Sequence, residues 1–183
     1  MTIPALSRRS RPACSAFVLA AIALAAVTGG VARAASTGSV DLLRVFSGQL
    51  PKVKHATTVP VLLPRTLPLA GRAPRLYADG GGDRRGWVLI LAGAPRCGSA
   101  NACFIASFEG RRGGKLPGKA NVRLSTGDAG LYIPIGCGAS CSPASLWFVH
   151  GGVLYSWQVK DPPRNGRTAL IRLAGEAVAA GPR

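Results

Sequence analysis

SLWFVHGGVLYSWQV, residues Ser145–Val159, is the stretch whose reading decides the fold. Two runs rich in aromatic and β-branched residues flank His150-Gly151-Gly152, a short glycine-bearing break that signals an antiparallel hairpin. The same grammar repeats upstream. Arg75–Asp79 (RLYAD) and Gly86–Ala92 (GWVLILA) flank Gly80–Arg85, read as a hairpin with a long glycine turn. Ala102–Glu109 (ACFIASFE) alternates Phe104, Ala106 and Phe108 on one face, and a basic, glycine-rich turn follows over Gly110–Gly118. Ala120–Leu124 and Gly130–Ile135 (GLYIPI) read as further strands. Pro60 and Pro64 bracket Val61-Leu62-Leu63, an expected edge segment where a missing N–H does no harm.

Only the end of the chain changes period. After Asp161-Pro162-Pro163, the residues Leu170, Leu173/Ala174 and Ala177/Val178 recur at helical spacing, with Thr168 as expected cap and Gly181-Pro182 as stop. About seven short strands and one terminal helix predict an α+β fold, an antiparallel sheet with the C-terminal helix packed on one face. That domain is expected over residues 59–183. Residues 35–58 read as a linker with room for one short helix, in which Ser39 caps, Asp41 occupies the first turn, and Leu42, Leu43 and Phe46 share a face.

The first 34 residues read as a secretory signal peptide. Arg8, Arg9 and Arg11 precede an apolar run from Ala16 to Val27, and Ala32-Arg33-Ala34 supplies a small-residue cleavage site. Left uncleaved, the uncharged stretch between Arg11 and Arg33 would be long enough to anchor the chain in a membrane. Cys14 precedes the apolar run and so does not fit a lipid-attachment cysteine. Cleavage after Ala34 leaves 149 residues and lowers the net charge from +16 to +12, with 19 bases against 7 acids.

The remaining cysteines, Cys97, Cys103, Cys137 and Cys141, form C-x5-C and C-x3-C pairs. An even count in an exported chain favours disulfides, and Gly98 and Gly138 favour the local pairings Cys97–Cys103 and Cys137–Cys141 over cross-pairing. A zinc site would need tighter knuckles than C-x5-C, and a redox site would need C-x-x-C at a helix start.

Enzymatic chemistry finds little material. Asp79 and Asp83 are the only close acids and flank a turn; His55 sits in the linker and His150 in a tight turn, read as solvated. No Gly-x-Ser-x-Gly elbow occurs. Gly113–Ala120 (GGKLPGKA) matches part of a phosphate loop, but Ala120 stands where a hydroxyl must hold magnesium and Pro117 removes an amide donor. No catalytic residue, metal ligand or cofactor is therefore assigned. An active site beyond these motifs would be signalled by any two of Asp79, Asp83, Asp128, His150 and Asp161 sharing one cleft.

Arg84, Arg85, Arg111, Arg112, Lys115 and Lys119 are the candidate anion-binding residues, all on two expected turns. Trp87, Tyr132, Trp147, Tyr155 and Trp157 lie in apolar strands and read as core, which argues against nucleic acid as a partner.

The order VLLP at 61–64, Cys97 to Cys103, then CGASCSP from Cys137 to Pro143, followed by Trp147, Tyr155 and a terminal helix, resembles small exported bacterial proteins of unknown function. The resemblance covers roughly residues 59–180 and implies no activity. The expectation is a basic, disulfide-bonded, secreted, periplasmic or cell-envelope binding domain, non-enzymatic, whose partner is an anionic envelope polymer or a protein. An envelope hydrolase is the alternative.

Overall fold

The computed structural model describes residues 38–69, 75–97, 102–163 and 165–183. The segment read as a signal peptide, with Cys14, lies outside the described residues, as does Gly98.

In chain order the elements are β1 (Ser39–Asp41), α1 (Leu42–Val45), α2 (Leu50–Ala56), β2 (Thr66–Pro68), β3 (Tyr77–Asp83), β4 (Gly86–Ala92), β5 (Phe104–Arg112), β6 (Val122–Arg123), β7 (Ala129–Ile133), β8 (Gly136–Cys137), β9 (Cys141–Ser142), β10 (Ala144–His150), β11 (Val153–Val159) and α3 (Gly166–Ala180). Seven strands form one antiparallel sheet in the order β3-β4-β5-β11-β10-β7-β6. β1 pairs with β2, and β8 with β9, in two small ribbons. The α+β architecture is as expected, with α3 against β10 at the end of the chain.

The hairpin that decides the reading turns on two residues. His150 closes β10, and Gly151 and Gly152 both have positive φ (56° and 75°), the conformation that matches the twist of paired strands. Alternation then separates two faces. Val153, Tyr155, Trp157 and Val159 point into the core with Ala144, Leu146 and Phe148 of β10 and Ala106 and Phe108 of β5. Trp157 meets Phe108 and Phe148 edge-on at 5.5 and 5.6 Å between ring centroids, and Phe148 stacks on Tyr155 at 5.1 Å. Such pairs stabilise by about 0.5–1.5 kcal/mol beyond their buried area. On the same face α3 buries Leu170, Leu173, Ala174 and Ala177, the predicted stripe. Thr168 lies inside the first turn of α3, whose cap position is Asn165.

Residues 39–56 are more than a linker. Asp41 Oδ1, rather than Ser39, accepts the Arg44 amide (3.1 Å) and caps α1. Leu42, Phe46 and Val53 are fully buried in the main core, with Phe46 edge-on to Phe108. Lys52, Lys54 and His55 face solvent, so the segment's average composition reads polar while its inner face is not.

Val61-Leu62-Leu63 is buried but joins no strand. It straps the core instead. The Pro60 carbonyl accepts from both Trp87 Nε1 and Tyr155 OH, each at 3.1 Å, and Arg183 donates to the Val61 and Leu63 carbonyls at 3.0 Å. Prolines at 60 and 64 bring no ladder donors of their own; side chains satisfy the Pro60 and Leu63 carbonyls, and the Arg183 amide that of Val61.

Gly80–Gly82 lie within β3, not in a turn. A Cβ on Gly80 would sit 2.7 Å from Leu89 Cδ2 and 2.9 Å from the Val88 carbonyl, so only glycine fits in this register. The turn itself is Arg84-Arg85, closed by Asp83 Oδ1 accepting the amides of Arg85 (2.7 Å) and Gly86 (2.9 Å).

Cys97–Cys103 and Cys137–Cys141 are the two disulfides, in the local pairing. The first closes the β4–β5 connection and the second the β8–β9 ribbon. Two disulfides point to an oxidising, extracytoplasmic environment. No helix among the described residues is long and apolar enough to cross a membrane.

Candidate anion-binding groove

Among the described residues no helix covers the central strands on the second face of the sheet, and an open groove of about 1030 Å³ lies there. The register builds its floor. Gly81, Val88, Glu109, Ser156 and Trp147 are cross-strand neighbours on β3, β4, β5, β11 and β10. At one strand spacing per step this row is roughly 19 Å long. Asp83, Gly86, Arg111 and Leu154 form the adjacent row toward one end of the sheet. Arg85 also lines the groove.

Four of the expected anion-binding residues meet at that end. The Arg84-Arg85 turn abuts the end of β5, where the Arg112 amide donates to the Arg85 carbonyl at 2.9 Å and Arg111 lies opposite Gly86. Arg111 and Arg112 end a strand rather than occupying a turn, because β5 runs past Gly110. All four arginines are exposed. Arg112 points to the core side, its guanidinium donating to Thr58 at 3.4 Å, while Arg111 alternates onto the groove face. Lys115 and Lys119 sit in the segment that leads from β5 across the sheet to β6. Gly114 approaches the Leu154 side chain and Gly118 the Leu131 side chain, so Lys119 lies toward β7, away from the arginines.

Trp87, Tyr155 and Trp157 are core, as expected, but Trp147 is half-buried on the groove face. Its parity could have placed it there, since Leu146 and Phe148 on either side belong to the core. Its Nε1 donates to Ser145 Oγ at 3.3 Å, which fixes the indole. Ser156 is 4% exposed, and its hydroxyl has no hydrogen-bond partner. Glu109 keeps a solvent-facing surface, but desolvation pushes its carboxyl above the ordinary range, with the Arg111 guanidinium pulling the other way.

Four of the other acids are accounted for locally. Asp79 accepts the Gly80 amide, Asp83 closes its turn, Asp41 caps α1, and Glu176 pairs with Arg172 on α3. His150 is not simply solvated. Its Nδ1 lies 3.0 Å from Asp128 Oδ2, which also accepts from Thr126 Oγ1 at 2.6 Å. Of the five residues proposed to reveal a hydrolase, these two meet, but on the helix-bearing face and outside the groove's lining. Asp128 is the side-chain partner of the His150 imidazole among the described residues. His55 is exposed on α2. No group of three or more metal-binding side chains occurs among the described residues.

Comparison with protein-family models, with curated proteins and with solved structures finds no match to this chain.

Proposed function

We propose that this chain is an exported, non-enzymatic binding domain of the bacterial cell envelope that holds an anionic envelope component at the arginine-rich end of its sheet. The observation that carries the reading is the abutment of Arg84-Arg85 on Arg111-Arg112 through the 2.9 Å hydrogen bond. Of these residues Arg85 and Arg111 line the same groove, where their like charges repel and a bound anion relieves that repulsion. Asp83, the nearest carboxylate in sequence, is committed to backbone amides. Support for export comes from the signal-type amino end and the two disulfides, whether the destination is the periplasm, the wall or the medium.

The test is retention of the mature protein on an anionic resin and on isolated cell-wall polymer across a salt gradient. Retention should collapse as salt rises, and the double variant Arg84→Glu/Arg111→Glu should elute at lower salt. Salt-insensitive retention, or a variant that elutes with the parent, would contradict the reading. The Asp128–His150 contact is the one observation that favours a hydrolase. If that reading holds, His150→Ala abolishes a hydrolytic activity that the parent shows on envelope polymer.

A further inference from the structure

We infer that the groove on the open sheet face is a binding subsite for an acidic glycan, with sugar rings lying along the Gly81–Trp147 row and their anionic groups toward Arg85 and Arg111. This inference rests on the anion-binding reading and names its ligand class.

Three features select a sugar over other anions. The first is Ser156, whose nine-tenths-buried hydroxyl lacks a partner yet lines the groove. A buried polar group left unpaired destabilises the free protein, and a ligand hydroxyl would satisfy it. The second is Glu109, directly opposite Ser156 in the register. Its desolvated carboxyl gains from hydroxyl donors, whereas a bare phosphate chain would be repelled by it. The third is the apolar share of the lining. Val88, Leu154 and the Trp147 indole offer a surface for the C–H face of a sugar ring, which meets the negative face of an aromatic favourably. An acyl chain would use that surface too, but it would cover Ser156 and Glu109 without hydrogen bonds.

The cation placement completes the match. Arg85 and Arg111 lie at one side of the row, so a ligand with hydroxyls along its length and carboxylates or phosphates at its margin fits both sets. Gly81 has open space where a side chain would stand, which leaves the β3 end of the floor clear.

The experiment titrates the mature protein with an oligoglucuronate, a neutral oligosaccharide of equal length and inorganic polyphosphate, read by calorimetry and tryptophan fluorescence. The oligoglucuronate should bind more tightly than the neutral sugar. Trp147→Ala should weaken it about tenfold, the scale of a lost aromatic contact, while leaving polyphosphate binding unchanged. Ser156→Ala should weaken it by about fivefold, the scale of one hydrogen bond, and keeps the buried volume should loss of the indole disturb the sheet. Oligoglucuronate binding that neither substitution changes would overturn the inference. Salt-sensitive polyphosphate binding without oligosaccharide binding would overturn it too, leaving the anion-binding reading intact. Absence of binding to every anion would remove both.

Discussion

On β11, Tyr155 and Trp157 are shut into the core at 1% and 0% exposure, while Ser156 between them lines an open groove. On β10, Leu146 and Phe148 are sealed, and Trp147 between them is half-buried on the other side. One set of strands thus makes two faces. The covered face is closed by α1, α2, α3 and the proline strap, and its aromatic rings interlock. The open face mixes serines, carboxylates, arginines and one indole, a composition that offers hydrogen bonds and charge. The difference teaches that stability and recognition are divided here by residue parity rather than by segment.

The largest expected effect sharpens that division. Trp157→Ala should destabilise the domain by about 3–5 kcal/mol in chemical denaturation, because it deletes a fully buried ring from the aromatic cluster. Trp147→Ala, one strand away on the open face, should cost about 1 kcal/mol or less. Equal losses would break the distinction between the faces.

Alkaline titration probes the covered face from a second direction. Burial pushes the Tyr155 phenol up to about 12 from 10.0. The folded state therefore holds this proton more tightly than the unfolded chain, so the stabilisation is fully present below pH 10. It is lost as pH rises from 10 toward 12, by roughly 3 kcal/mol in total. Tyr155→Phe should flatten that slope while losing the hydrogen bond to the Pro60 carbonyl. A slope unchanged in this variant would assign the alkaline loss elsewhere.

The disulfides give the smallest contrast. Replacing Cys97 and Cys103 by serine should destabilise by about 2 kcal/mol on the chain-entropy estimate, since that loop joins two central strands. Replacing Cys137 and Cys141 should have less global effect. Their ribbon is exposed throughout, so it can open locally without parting the main sheet. Hydrogen exchange should report faster amides at 136–142 alone; a global loss of protection would show that the ribbon is coupled to the core.

Much of the sheet was legible in the sequence because alternation is strong wherever one face is buried. β4 and β11 coincide with the residues read as strands, and Leu170, Leu173, Ala174 and Ala177 give α3 away. Three features were hidden for physical reasons. Gly80–Gly82 carry turn residues into a strand, and at Gly80 a close approach to the Val88 carbonyl decides the position over intrinsic preference. The segment 39–56 sets four core residues, Val40, Leu42, Phe46 and Val53, beside lysines and a histidine. The proline strap is buried without strand pairing, which no periodic template describes. The arginines of the groove were named from composition, but their convergence depends on the pairing of β4 with β5. Ser156 and Glu109 carry no motif, and only the register puts them side by side.

The most direct test is amide chemical-shift mapping of the protein during titration with oligoglucuronate. The shifts should gather at Gly81, Gly82, Arg85, Gly86, Gly110, Arg111 and Ser156, with Leu170 and Leu173 of α3 unmoved. Shifts centred on Asp128 and His150, or on α3, would contradict binding in the groove.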